Sequence, residues 1–309
     1  MDIQECEVMN KSEIQSKILK LKNEKQAIIL AHNYQVMPVQ EIADFTGDSL
    51  QLSRVAAELE QELVVFCGVQ FMAETAKLLK PKAKVLLPVL DAGCPMADMI
   101  TGEQVKDFKS QYKNPLVVCY VNSSIEVKAE ADICCTSGNA LKVINSIPAD
   151  KDILFVPDRN LGSYAAQQTG RKVILWQGYC NVHEWITEAD VLAAKKQYPG
   201  YKLIVHPECR PGVVALADFA ASTKGMIDYV EEHDNVIVGT ETGLYYQLHD
   251  RFPEKHLAPI SEKNICVNMK KTRLEDVLRA LEREEFEITI AADIAARALR
   301  SVENMLRIK

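Results

Sequence analysis

Three cysteines recur at one interval along the chain: 86 residues separate Cys94 from Cys180, and 86 separate Cys180 from Cys266. Each is followed by a Thr with an acidic or amide residue three positions later, which is the pattern of a capping box at a helix start. The pairs are Thr101 and Gln104, Thr187 and Asp190, and Thr272 and Glu275. A fixed period of this kind is typical of repeated units, so the chain is predicted to fold as three copies of one unit.

Two further landmarks recur in the same order. A polar residue ends an apolar run in each copy: His32, Tyr120 and His206. A hydroxyl residue follows each of them 17 positions later and is predicted to open a helix: Ser49, Ser137 and Thr223. Chance placement among nine cysteines could produce the cysteine interval alone, but it does not account for three landmarks in three copies. The predicted units are residues 1–113, 114–199 and 200–309, the last of which includes a C-terminal helix.

Within each copy, short apolar runs alternate with stretches of helical period. In the first copy the predicted strands are 27–31, 44–46, 63–67 and 84–88, and the predicted helices are 38–43, 49–60 and 71–79. The corresponding strands are 116–121, 132–136, 153–156 and 173–176, then 203–205, 218–221, 236–239 and 257–260. A last strand at 287–290 and a helix at 293–306 close the chain. This alternation predicts an α/β fold of three similar parallel-sheet α/β/α domains in a pseudo-threefold arrangement.

Composition and charge argue against several classes of function. The net charge of −7 carries no long run of one sign, which argues against nucleic-acid binding. No apolar stretch approaches the roughly 20 residues of a membrane helix, and the N-terminus lacks the apolar core of a signal peptide. The protein is therefore expected to be cytoplasmic and to bind no membrane. Cysteines in such a chain are more often free or metal-bound than paired in disulfides.

The three cysteines and three polar strand ends should share one edge, because ligands bind beyond the carboxyl ends of parallel strands. Three converging thiolates could hold zinc, but structural zinc sites have four ligands and usually C-x-x-C pairs, which this sequence lacks. The three suit a central 4Fe–4S cluster with one open iron, which could act as a Lewis acid in the loss of water. The remaining cysteines are expected to be buried or loop residues outside the cluster: Cys6, Cys67, Cys119, Cys134, Cys135 and Cys209.

Helix starts and strand ends supply the other groups of the predicted site. Free N–H groups at the helix starts of Ser49, Ser137 and Thr223 would bind carboxylates or phosphate, although each residue could also be a simple N-cap. Proton donors and acceptors at the strand ends make acid–base chemistry plausible. They are His32, Tyr34, Tyr120, Asn122, His206 and Glu208.

The chain carries, in this order, the motifs AHNYQ, GDSL, FCGVQFMAETAK, AGCPMADM, YVNSS, CTSGNA, FVPDRNLG, WQGYCNVHE, HPEC, ASTKGM, GTETG and CVNMKKT. With them it resembles the quinolinate synthase (quinolinate synthetase A) family from about Ala31 to the C-terminal helix. The resemblance implies a 4Fe–4S-dependent transferase of NAD biosynthesis. That enzyme condenses iminosuccinate with dihydroxyacetone phosphate to quinolinate and releases phosphate and two waters. An aspartate oxidase or dehydrogenase would supply the iminosuccinate.

The resemblance also implies roles for individual residues. The cluster ligands would be Cys94, Cys180 and Cys266, which leave one iron open. Tyr34 would take the position of a catalytic tyrosine. The catalytic set is completed by a hypothesis from the chemistry of the residues: Glu208, with His206, moves protons, and Tyr34 assists. Substrate binding would fall to His32, Ser49, Tyr120, Asn122, Ser137, His206, Glu208 and Thr223.

Two other functions stay open on the sequence alone. A hydro-lyase could use the same open iron to dehydrate a hydroxy acid, and it would release no phosphate. An iron–sulfur redox or oxygen sensor could hold the same cluster, but it should also carry a partner-binding or nucleic-acid-binding segment, and none is visible in the sequence.

Overall fold

The computed structural model describes residues 9–308 of the 309-residue chain. It contains three four-stranded parallel sheets. The first sheet has the order β2-β1-β3-β4, and the second and third sheets repeat it as β6-β5-β7-β8 and β10-β9-β11-β12. The strands are β1 (Ala27–His32), β2 (Phe45–Gly47), β3 (Leu63–Cys67), β4 (Lys84–Leu86), β5 (Pro115–Tyr120), β6 (Ile133–Cys135), β7 (Asp152–Val156), β8 (Val173–Leu175), β9 (Lys202–Val205), β10 (Phe219–Ala220), β11 (Asn235–Gly239) and β12 (His256–Pro259).

Helices connect the strands and cover both faces of each sheet. They are α1 (Lys11–Glu24), α2 (Met37–Glu41), α3 (Ser49–Glu58), α4 (Gln70–Leu79), α5 (Gly102–Ser110), α6 (Ile125–Glu130), α7 (Ala140–Ser146), α8 (Arg159–Thr169), α9 (Asn181–Glu184), α10 (Glu188–Gln197), α11 (Pro211–Leu216), α12 (Thr223–Glu232), α13 (Thr242–Arg251), α14 (Leu274–Arg283) and α15 (Ala292–Leu306). Because both faces are covered, β1 and β3 are buried at every position. The prediction of three similar α/β/α domains is confirmed. None of the helices within residues 9–308 combines the length and the apolar character that crossing a membrane requires.

One polar contact recurs in all three units and ties the edge strand to the centre of the sheet. The carboxylate of an Asp accepts a backbone N–H of the neighbouring central strand. The pairs are Asp44 with Ile29 at 2.8 Å, Asp132 with Val117 at 2.8 Å, and Asp218 with Leu203 at 2.9 Å. A lysine of α1, α5 or α10 forms an ion pair with the same carboxylate: Lys22, Lys109 and Lys195. Helices α5 and α10 therefore each form an ion pair with the sheet that follows them in the chain. The predicted unit boundaries at residues 113 and 199 assign these helices to the preceding units, and those boundaries stay a proposal.

The last two helices leave the third sheet and cover the other two. Helix α14 packs against α1 and β3, and α15 packs against α4, α6 and β6. The chain thus closes on itself, because its last helices rest on its first two sheets. The strand predicted at 287–290 is wrong, since Glu287 forms a single antiparallel bridge with Leu86. The left-handed backbone of Phe286, with φ of +64°, interrupts the extended conformation just ahead of that bridge.

Two of the three predicted capping boxes are confirmed. Thr101 caps α5 with Gln104, and Thr187 caps α10 with Asp190. The third is wrong: α14 begins one residue later than predicted, and the Asp276 carboxylate accepts the N–H of Arg273 at 2.9 Å. The Thr272 side chain is fully buried instead of capping the helix.

Candidate active site

All the residues proposed for the site line a single cavity of about 140 Å³. It lies where the carboxyl ends of the three sheets meet, and each unit contributes residues from its strand ends and loops. The structure therefore brings together His32, Tyr34, Ser49, Cys94, Tyr120, Asn122, Ser137, Cys180, His206, Glu208, Thr223 and Cys266.

The three cysteine loops are held in place by one recurring hydrogen bond. The backbone N–H of the first residue of α4, α8 or α13 donates to the carbonyl two residues ahead of the cysteine. The pairs are Gln70 with Ala92 at 2.8 Å, Arg159 with Gly178 at 2.8 Å, and Thr242 with Asn264 at 2.9 Å. Each loop is thus fixed to a helix of its own unit, which places the following cysteine at the same edge of each sheet.

The three thiols are close enough to affect one another electrostatically. Burial, with a smaller contribution from the Cys266 thiol, raises the pKa of Cys94 to about 12. Burial also raises the pKa of Cys180 well above its usual value, with contributions from Glu208, Cys94 and Cys266. Burial disfavours the thiolate form, so these thiols would lose their protons only beside a positively charged centre. Three cysteines that line one cavity are a donor set that could hold a shared metal centre.

A chain of hydrogen bonds crosses the site and joins all three units. The Tyr34 hydroxyl lies 2.7 Å from Oγ1 of Thr240, which lies 2.8 Å from Nε2 of His183. On the other side of the ring, His183 Nδ1 lies 2.7 Å from Oε2 of Glu208. The Tyr120 hydroxyl donates to Oε1 of the same carboxylate at 2.5 Å. Protons can thus be exchanged between residues that are far apart in the sequence.

Two histidines of the site are neutral, and their hydrogen-bond partners assign the tautomer of each ring. Burial, assisted by the charge of Lys270, lowers the pKa of His32 to about 3, and burial lowers that of His206 to about 3. Nδ1 of His32 accepts the N–H of Tyr34 at 3.1 Å, and Nδ1 of His206 accepts the N–H of Glu208 at 3.3 Å. Nε2 therefore carries the proton in both rings, and in His206 it donates to Oγ of Ser137 at 3.2 Å.

Glu208 is ionised, whereas the two tyrosines beside it are not. Burial favours the neutral acid, but the imidazoles of His206 and His183 and the hydrogen bond from Tyr120 hold the pKa of Glu208 at about 2. Burial and the charge of Glu208 raise the pKa of Tyr34 and of Tyr120 well above 10. The site thus combines one ionised carboxylate, which can accept a proton, with two phenols that stay protonated.

The predicted helix starts are confirmed in two of three cases. Ser49 and Thr223 are the first residues of α3 and α12, but the N-caps are the preceding residues, Asp48 and Ser222. Ser137 does not open a helix, because α7 begins at Ala140 and Ser137 lies in the turn before it. That turn is held by the Asn139 side chain, which accepts the N–H of Thr136 at 2.7 Å.

Of the cysteines predicted to lie outside the metal centre, five are buried: Cys67, Cys119, Cys134, Cys135 and Cys209. Cys6 lies outside the described residues. Cys134 and Cys135 belong to β6, where successive side chains point to opposite faces of the sheet.

Comparison with known sequences identifies the family. A model of the family described as quinolinate synthetase A protein matches residues 16–307. The chain belongs to the quinolinate synthetase A family. Quinolinate synthase from Methanoregula boonei is 51% identical over 295 residues, which cover 95% of this chain and 97% of the relative. Quinolinate synthase from Dehalococcoides mccartyi (strain CBDB1) is 50% identical over 297 residues, or 96% of this chain and 98% of the relative.

In this member of the quinolinate synthetase A family, His183 is the main site residue that the sequence motifs did not indicate. It lines the cavity, is 1% exposed, and lies 3.2 Å through Nδ1 from Sγ of Cys180. A signal existed in the sequence: Cys180 and His183 are three residues apart around one turn of α9, and such a spacing places two side chains on one side. Cys180, His183 and Glu208 together could hold a metal ion.

Proposed function

We propose that the chain is a quinolinate synthase that condenses iminosuccinate with dihydroxyacetone phosphate in NAD biosynthesis. The observation that carries the proposal is the convergence of three equivalent cysteine loops and one acid–base chain on a single cavity, in a chain of this family. We place the reaction in the cytoplasm, after an aspartate oxidase or dehydrogenase that produces iminosuccinate.

We assign the cluster ligands to Cys94, Cys180 and Cys266, and we propose a 4Fe–4S cluster with one open iron. When bound, such a cluster supplies a Lewis acid that assists the loss of water. The arrangement of the thiols supports this assignment. Among residues 9–308, the cysteines that line the cavity are these three. The described part of the cavity lining therefore contains no fourth thiol that could complete the cluster.

The acid–base steps are assigned to residues of the hydrogen-bond chain. Glu208 is the proton acceptor, because it is ionised and lines the cavity. Tyr34 and Tyr120 are proton donors, since their raised pKa values keep them protonated. Neutral His32 carries its proton on Nε2, which makes it a donor to a carbonyl or carboxylate oxygen of the substrate.

Anionic groups of the two substrates are assigned to the helix starts. The N-termini of α3 and α12 carry free N–H groups and the positive ends of their dipoles. Ser49 and Thr223 place hydroxyls there, and Ser137 adds one that already accepts a hydrogen bond from His206. Asn122 lines the same cavity and offers an amide.

Anaerobic purification, followed by iron and sulfide analysis and a quinolinate assay, tests the proposal. Replacing Cys180 by Ala should abolish the cluster, whereas replacing Cys209, which is buried but outside the cavity lining, should leave it intact. Glu208→Gln should keep the cluster spectrum and lose quinolinate formation. Release of one phosphate per quinolinate separates this function from a simple hydro-lyase. A wild-type protein with a full cluster but no quinolinate would refute the assignment.

A further inference from the structure

Cys180, His183 and Glu208 form a compact set of three metal-ligand types. Their ligand atoms, Sγ, Nδ1 and a carboxylate oxygen, all lie within 4.8 Å of one another. The Sγ–Nδ1 distance is 3.2 Å and the Nδ1–Oε2 distance is 2.7 Å. Ligand atoms around tetrahedral zinc stand about 3.3–3.6 Å apart, given bonds of about 2.0–2.3 Å. The three atoms therefore need only small side-chain shifts to surround one ion.

We propose that the protein, when it carries no iron–sulfur cluster, binds a single zinc-class divalent cation through Cys180, His183 and Glu208. Thiolate and imidazole favour Zn²⁺ over Mg²⁺ or Ca²⁺, which prefer oxygen ligands. All three residues line the cavity, so the fourth coordination position faces the space where water or a substrate oxygen can enter. This ion would use one of the three predicted cluster cysteines and neither of the others.

Partners behind the ligands hold two of them in a binding orientation. With Nδ1 on the metal, His183 carries its proton on Nε2 and donates it to Oγ1 of Thr240, which lies 2.8 Å away. The carboxylate oxygen of Glu208 that does not face His183 accepts the Tyr120 hydroxyl at 2.5 Å. Such outer partners are a regular feature of zinc sites because they fix the tautomer and the ring orientation.

The charges of the set balance those of a divalent ion. Glu208 contributes one negative charge, and Cys180 contributes another once its thiol proton is released. The ring proton of His183 moves from Nδ1, where it serves the bond to Glu208, to Nε2. Binding thus releases one proton to solvent and leaves a neutral site inside a buried cavity, which avoids the cost of an uncompensated buried charge.

Zinc binding and cluster assembly should exclude one another, because both require Cys180. Zinc would also take Glu208 out of its hydrogen bond with His183 and so remove the proposed proton acceptor. This competition rests on the proposed function, whereas zinc binding by the cluster-free chain does not.

The test uses the full-length protein, stripped of metal anaerobically, and a competition titration of Zn²⁺ against a chromophoric chelator. A single ion per chain is expected. Cys180→Ser, His183→Gln and Glu208→Gln should each weaken binding by about tenfold or more. Cys94→Ser and Cys266→Ser are matched controls, since they remove equivalent thiols and should leave the zinc affinity unchanged. Both controls should also lose the cluster while they keep zinc binding. A failure of the zinc proposal can therefore be told apart from a failure of the cluster proposal.

The opposite pattern overturns the proposal. If Cys94→Ser and Cys266→Ser weaken zinc binding as Cys180→Ser does, while His183→Gln has no effect, the ion is held by the three thiols. Thermal unfolding of each metal-free variant shows whether it folds. Should a ligand variant fail to fold, X-ray absorption of the zinc-loaded wild type decides: one sulfur ligand is expected, and three sulfur ligands refute the assignment. Absence of stoichiometric binding by the wild type refutes it as well.

Discussion

Replacing Glu241 by Gln should destabilise the protein far more than the loss of a surface charge. The Glu241 side chain is fully buried and lies 2.9 Å from Nζ of Lys270. It also accepts the backbone N–H of Gly243 at 2.6 Å and that of Cys266 at 3.1 Å. Lys270 in turn donates to the Tyr34 carbonyl, so this pair links the loop of the third cysteine to the first unit.

The magnitude follows from what the substitution leaves behind. Removing one partner of a buried ion pair costs about 3–5 kcal/mol, because the other charge stays buried and uncompensated. The Lys270 side chain keeps 22% exposure, and a glutamine oxygen can still accept one of the two backbone N–H groups. We therefore expect a loss of about 2–3 kcal/mol in the free energy of unfolding. For a chain of this size that corresponds to a fall in Tm of about 3–5 °C.

Calorimetry of the metal-free protein measures this effect against a matched control. Glu41 pairs with Lys11 at 2.8 Å, but both side chains are about half exposed, so Glu41→Gln should cost less than about 1 kcal/mol. The double variant Glu241→Gln with Lys270→Met should recover part of the loss, since it removes the uncompensated ammonium. Equal Tm shifts for Glu241→Gln and Glu41→Gln would refute the reasoning.

Three further predictions concern packing, pH and the hydrogen-bond chain. Gly162→Ala should lower stability by about 1–3 kcal/mol in thermal unfolding, because the added Cβ would lie 2.5 Å from Cδ2 of Leu175. Hydrogen bonds from Lys25 and Lys84 hold the pKa of Glu284 at about 2, below its unfolded value of about 4.3, so its stabilisation is present at neutral pH and is lost as the pH falls from about 5 to 2. The Tm difference between wild type and Glu284→Gln should shrink over that range, and a constant difference would contradict this. Thr240→Val removes the hydroxyl between Tyr34 and His183, so turnover should fall about tenfold or more at unchanged iron content, and full turnover would exclude a role for the chain.

The fold was predictable because its strands are continuous apolar runs. A buried strand such as β3, Leu63–Cys67, carries its signal in adjacent residues, and turn residues bound it on both sides. The start of α14 was less predictable, since two overlapping residue pairs compete to form its N-terminal cap. Thr272 with Glu275 fits the pattern better, but Arg273 with Asp276 forms the cap because the Thr272 side chain packs inside.

The site was predictable only where repetition marked it. The three cysteines and the strand-end residues have counterparts in other units, so the sequence shows them as a set. His183 has no such counterpart, and its environment comes from Thr240 and Glu208, which are 57 and 25 positions away in the chain. Which distant side chains will meet a given histidine depends on how the units dock, and a local pattern does not contain that information.

The packing of α14 and α15 on the first two sheets determines the order in which folding and metal insertion can occur during synthesis. During synthesis the N-terminal part of a chain leaves the ribosome first and begins to fold there. The first two sheets must then wait for the covers that α14 and α15 provide, and the loop of Cys266 is delivered only shortly before those helices. A metal centre that needs all three loops can therefore be inserted only after the Cys266 loop has been synthesised. A chain that stops within α15 would lack the cover of the second sheet, so such a truncation should be as damaging as a lesion in the core.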